Sequence, residues 1–170
     1  MEDLKKKAKT YHHGDLKGAL LEGVRQLIER DGADAFKVSE ACRIAGVSTA
    51  APYKHFKDRD EIIHAVALAG MQRLGARMQV AAGSFSAGDP RRIEAIGRAY
   101  LDFAADEPGV FRLVFGLADD HGEDAALTET GNRTSGFVSQ LVSEHLGLPL
   151  ESEEVQLRAY ALWCFVHGHA

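Results

Sequence analysis

The densest set of reactive and hydrogen-bonding groups in the sequence is Ser48-Thr49-Ala50-Ala51-Pro52-Tyr53-Lys54-His55-Phe56. Within nine residues it places three hydroxyls, an ammonium and an imidazole, and it keeps the positions between them small. The chemistry this suits is recognition of a polyanion. Lysine, histidine and tyrosine side chains go to phosphate oxygens. The threonine hydroxyl can bond a base or a phosphate, and threonine and alanine methyls can meet a thymine methyl. Ala50 and Ala51 leave room for the backbone itself to approach. Covalent catalysis has no comparable candidate. The sequence holds no nucleophile elbow, phosphate-binding loop, H-E-x-x-H or C-x-x-C, so the chain reads as a non-enzyme that needs no cofactor.

The elements that must present this stretch are helical, because period 3.6 dominates and no alternating strand of convincing length occurs. Leu16, Ala19, Leu20, Val24, Leu27 and Ile28 form one stripe, which Gly32 stops. A short helix is expected over Val38–Ala45, followed by Gly46 in a left-handed turn. A third helix is expected over Thr49–Phe56, with Ser48 as its cap. Pro52 falls in or just past the first turn of that helix, where it forfeits at most one backbone bond. Two short helices joined by a glycine turn form a helix-turn-helix unit, and in its DNA-binding version the second helix enters the major groove. Asp58 with Glu61 then predicts a capping box and a long helix to about Ala81. Gly- and Ser-rich 82–89 is the clearest break. Further helices are expected from Asp89-Pro90, over Val110–Phe115 closed by Gly116, over Ala125–Leu146 ended by Gly147 and Pro149, and from Ser152 onward, about eight in all. The apolar pattern has not ended at His169-Ala170, which predicts a chain cut short there.

With those residues placed, "FKVSEACRIAGVSTAAPYKHFKDRDEII" resembles the N-terminal signature of the TetR/AcrR family of bacterial transcriptional regulators. Ala45-Gly46-Val47-Ser48, Tyr53, His55-Phe56 and Arg59 match its pattern. "YHHGDLKGALLEG" and "LWCFVHG" are similar to one branch, whose C-terminal domain bears Trp, His and Gly, here Trp163, His167 and Gly168. Three positions depart from the pattern. Lys37 stands where a capping Thr is common, so that Ser39 would cap the second helix; Pro52 replaces a frequent Leu; Arg59 replaces a frequent Lys. The resemblance implies an all-α protein with two parts: a three-helix DNA-binding domain, residues 1–56, and a helical ligand-binding and dimerisation domain, residues 57–170. It implies a homodimer on a palindromic operator in double-stranded DNA, acting as a repressor released by a small-molecule effector. The DNA-contacting set would be Ser39, Ser48, Thr49, Ala50, Ala51, Tyr53, Lys54, His55 and Arg59. Arg59 would hold a phosphate at a helix N-terminus. The resemblance implies a dimer interface made by the last two helices, of which the second is expected to be missing here.

In the larger part Tyr100, Phe103, Phe111, Phe115, Phe137, Trp163 and His167 are the candidates to line an effector cavity, with Tyr160 and Phe165 divided between cavity and core. Two other readings stay open: a DNA-binding dimer without ligand, and a helical small-molecule-binding protein or enzyme. Residues 1–60 carry a net charge of +2 and the remainder −7, which places an anionic partner at the N-terminal end. Lys5, Lys6, Lys7 and Lys9, in an arm over residues 1–10, read as a solubilising tail that is also compatible with phosphate contacts. His12-His13 and His167/His169 lack metal-ligand spacing, so no metal is expected. Cys42 reads as core packing, and the acidic run at Asp119, Asp120, His121, Glu123 and Asp124 as a solvated loop. Two cysteines, no secretory leader and no long apolar run make a cytoplasmic protein away from membranes the expectation.

Overall fold

The computed structural model describes residues 16–118 and 124–170. The lysine arm, His12, His13 and the run from Asp119 to Glu123 lie outside them. The described residues form seven α-helices and one 3-10 turn, with no strand among them. The helices are α1 (Leu16–Asp31), α2 (Val38–Ala45), α3 (Arg59–Ala82), α4 (Arg91–Asp106), α5 (Pro108–Ala118), α6 (Ala125–Leu146) and α7 (Glu153–His167). No described helix is long and apolar enough to cross a membrane.

Most boundaries follow from local chemistry. Gly46, at φ 70°, turns the chain after α2, and Gly147, at φ 66°, does the same after α6. The Asp58 carboxylate accepts the Glu61 N–H at 2.9 Å, and the Glu61 carboxylate reaches back to the Lys57 N–H at 2.5 Å, fixing the start of α3. Asp124 and Ser152 cap α6 and α7 in the same manner.

Five expectations change. The expected third helix is a turn at 48–51 followed by one 3-10 turn, Pro52–Lys54. Pro52 has no N–H to give the Ser48 carbonyl, so Ala51 N–H takes it at 3.0 Å and the backbone tightens to i→i−3. Ser48 makes no cap: the residue before the turn is Ala51, without a side-chain bond. Ser39 does not cap α2 either. Lys37 holds that position in extended backbone, and Ser39 is already helical. Pro108 opens α5 rather than preceding a helix at Val110, because a proline at the first helical position loses nothing. Gly116 lies inside α5, which continues to Ala118.

One core of buried side chains runs from Leu20, Val24, Leu27 and Ile28 of α1 through α3, α4 and α5 to Leu141 of α6. A smaller patch, Val142 with Val155 and Ala159, holds α7 against α6. Helix α3 packs on α1, α4, α5 and α6. Helix α5 sits close to its neighbours through two glycines. A Cβ on Gly70 of α3 would lie 2.5 Å from Val110 Cγ1, and one on Gly109 would lie 2.7 Å from the Ile28 carbonyl oxygen.

Candidate functional site

Two sites emerge, one at each end of this core. At the first, α1, α2 and the 3-10 turn form a unit whose interior is closed by Phe36, Ala41, Cys42, Ala45, Ala51, Pro52 and Phe56, all buried. Burial pushes the Cys42 thiol pKa up, so it stays protonated packing material. Pro52 is therefore a core residue as well as a backbone constraint. The residues between these anchors face outward. Ser39, Ser48, Thr49, Ala50, Tyr53, Lys54 and His55 are exposed, Tyr53 at 59%. Among the described residues the side chains of Thr49, Tyr53, Lys54 and His55 make no hydrogen bond or ion pair. An exposed aromatic, cation and imidazole on one tight turn, with no internal partner, form a surface suited to an external anion. Ala51 is on the opposite side, in the core, and is removed from the contact set.

Arg59 is placed differently from the expectation. Its Nη2 donates to the carbonyl oxygens of Ala33 at 2.5 Å and Asp34 at 3.1 Å, and its guanidinium lies 4.5 Å from the centre of the Phe36 ring. It ties the α1–α2 connection to the start of α3. Arginine's planar fork suits this stacked, carbonyl-bonded role better than a lysine would.

The second site is a cavity of about 430 Å³, open on one side, lined by residues of α3, α4, α5, α6 and α7. Of the expected lining residues, Tyr100, Phe115 and Trp163 face it. His167, at the end of α7, is not part of the lining; it packs against Tyr100, Phe115 and Trp163. Its Nδ1 is 2.8 Å from the Tyr100 hydroxyl, and its ring stacks on Trp163 at 4.9 Å and 13°. Burial raises the Tyr100 hydroxyl pKa above its ordinary range, so it stays protonated. Phe111 is buried edge-on to Tyr100, 5.6 Å between centres, and supports that ring from behind. Phe103 and Phe137 do not line the cavity. Phe103 is fully buried under the Arg77 guanidinium, and Phe137 is half-buried against the core. Tyr160 lines the cavity; Phe165 points outward.

Sequence reasoning missed the wall formed by Met71, Leu74 and Met78 of α3, and a stripe on α6: Gly131, Thr134, Ser135, Val138 and Ser139. Its signal was present. Small and hydroxyl residues at i, i+3, i+4, i+7 and i+8 make one helix face too small to fill the space opposite.

The two sites are joined through α5. The Glu29 carboxylate, at the end of α1, accepts the Gly109 N–H at 2.7 Å and the Val110 N–H at 2.9 Å, capping α5 across the two parts of the fold. Buried Glu107, just before α5, accepts Arg73 Nη2 at 2.6 Å and Arg77 Nη2 at 3.3 Å, both from α3. Among the described residues no group of three or more His, Cys, Asp or Glu is placed to hold a metal ion.

Comparison with known proteins agrees with this arrangement. The family model described as "Bacterial regulatory proteins, tetR family" matches residues 20–66, and "Tetracyclin repressor-like, C-terminal domain" matches residues 93–170. No similar sequence was found among curated proteins. Among solved structures, a protein with unknown function from Rhodococcus sp. RHA1 is 30% identical, with a TM-score of 0.81, over 95% of this chain and 84% of that one. A regulatory protein of the tetR family from Rhodococcus RHA1 is 16% identical, with a TM-score of 0.69, over 89% and 81%. The TetR family transcriptional regulator PfmR from Thermus thermophilus is 17% identical, with a TM-score of 0.65, over 88% and 82%; these two likenesses carry the fold. With both family models spanning most of the sequence and an exposed helix-turn-helix unit at its N-terminal end, the chain belongs to the TetR family of DNA-binding transcriptional regulators and is not an enzyme.

Proposed function

We propose that the protein is a repressor that occupies a palindromic operator as a dimer and leaves it when a small molecule enters the cavity. Residues 1–56 bind DNA and 57–170 sense and dimerise. Thr49, Tyr53, Lys54 and His55 meet the DNA, and Ser39, Ser48 and Ala50 border them. The exposed apolar side of α7, with Leu157, Tyr160 and Phe165, suits a second copy of the chain. A dimer must set its two reading units about 34 Å apart to meet successive major grooves.

The observation that carries the release mechanism is the Glu29 cap. Helix α5 contributes Phe115 to the cavity and is fastened at its first turn to α1 of the DNA-binding unit. A ligand that binds one position of α5 better than another therefore biases α1 directly. The test is a titration with the DNA flanking the protein's own gene, at two salt concentrations. Tight, salt-sensitive binding that Tyr53→Ala weakens at least about tenfold supports the reader surface. Equal, weak binding to any DNA, unchanged by Tyr53→Ala, overturns it.

A further inference from the structure

We infer that the cavity selects an uncharged, largely apolar ring compound bearing hydroxyl or carbonyl groups, and rejects carboxylates and amines of the same size. The inference rests on reading the cavity as the effector site. None of the 19 residues lining it is Asp, Glu, Lys or Arg. Three arginines on the surrounding helices already have carboxylate partners. Arg73 and Arg77 bind Glu107, and Arg92 pairs with Glu144 across α4 and α6. A ligand charge held against this lining would have no counter-ion there and would lose part of its hydration, which is unfavourable.

The polar groups that do face the cavity are neutral. The Tyr100 hydroxyl lies 2.8 Å from His167 Nδ1, and a phenol can both donate and accept, so it keeps hydrogen-bonding capacity for a ligand. Thr134 Oγ1 donates to the Thr130 carbonyl at 3.0 Å and likewise keeps its lone pairs. Ser139 adds a buried hydroxyl. These match a ligand's hydroxyl or carbonyl. The rings of Tyr100, Phe115 and Trp163 favour an aromatic or cyclic skeleton. Gly131 keeps the space open: a Cβ there would sit 3.8 Å from Met71 Cε, in ordinary contact. A longer side chain at that position would occupy the ligand's volume without moving the backbone.

The chain has a single tryptophan, Trp163, and it lines the cavity, so its fluorescence reports occupancy. The probes are 4-phenylphenol, biphenyl-4-carboxylate and biphenyl-4-ylmethylammonium, one skeleton with three charges. The expected result is that the phenol binds at least about tenfold more tightly than either ion. Gly131→Met should then weaken the phenol about tenfold or more without lowering the unfolding midpoint, since methionine is a better helix former than glycine. Either ion binding as tightly as the phenol overturns the inference. So does phenol binding that Gly131→Met leaves intact. DNA affinity, measured in the same samples, separates the two readings. Selective phenol binding with unchanged DNA affinity supports the selectivity and counts against the effector role. DNA release by the carboxylate below the phenol's concentration supports the effector role and overturns the selectivity.

Discussion

The DNA-facing unit and the cavity are built on opposite plans. In the first, one buried set of small residues and prolyl ring fixes a tight turn, and the functional side chains stand outside it with no internal partners. In the second, the functional surface is the inside of a space left by five helices, with residues drawn from Met71 to Val166. A surface of the first kind can change a side chain without disturbing the fold. A surface of the second kind is continuous with the core, so its neighbours carry stability as well as shape.

That contrast has a large expected consequence. Phe103→Ala, beside the cavity and fully buried, should lower unfolding stability by about 3–5 kcal/mol, read from the urea midpoint. Tyr53→Ala should change the same midpoint by no more than about 0.5 kcal/mol while weakening DNA binding. Equal loss of stability in the two variants would break the comparison, because it would make the reader turn part of the core.

Next in size is the link between the regions. Glu29→Ala leaves the Gly109 and Val110 N–H groups without their carboxylate. The cost should be about 1–2 kcal/mol. The sharper readout is coupling. If α5 transmits through this cap, the variant should still bind ligand and DNA separately, but ligand should shift its DNA affinity less than in the native protein. Unchanged coupling in Glu29→Ala would place the transmission in the Arg73–Glu107–Arg77 contacts instead.

What the sequence made legible follows the same division. The bounds of α2, the αL turn at Gly46, the Asp58–Glu61 start of α3 and the bounds of α6 depend on residues within four positions of one another, and each was readable as a pattern. So was the outward set Thr49, Tyr53, Lys54 and His55. The tight 3-10 geometry was not, because helical spacing of Thr49–Phe56 says nothing of which carbonyl a proline leaves free. The internal partners of Arg59 were not legible, because a cation at a helix start suits a phosphate and a backbone carbonyl equally by type. Its partners, Ala33 and Asp34, lie 25 or 26 residues earlier. Aromatic residues were a poor guide to the cavity for a related reason. Phe103 and Phe137 fill space, whereas the lining of α6 is made by what Gly131 and the hydroxyl residues do not fill.

The smallest expected effect concerns a contact that belongs to neither site alone. Asp124 caps α6, accepting the Leu127 N–H at 2.9 Å, and its other oxygen is 3.0 Å from His64 Nδ1 on α3. The Leu127 N–H, followed by the His64 interaction, holds the Asp124 carboxyl below its ordinary pKa of 3.8. A carboxyl whose pKa is depressed by folding contributes stability that is complete above its unfolded value. That contribution fades as pH falls through the lower, folded value. Stability should therefore decline below about pH 4, in part through this group. Asp124→Asn keeps an acceptor for the cap but cannot titrate. At neutral pH it should cost about 0.5 kcal/mol or less, since asparagine caps nearly as well as aspartate. Its acid decline should be shallower than that of the native protein, measured as the urea midpoint from pH 6 to pH 2. An identical acid profile in the two proteins would mean that α6 is anchored to α3 by packing, and that the charge at Asp124 contributes nothing.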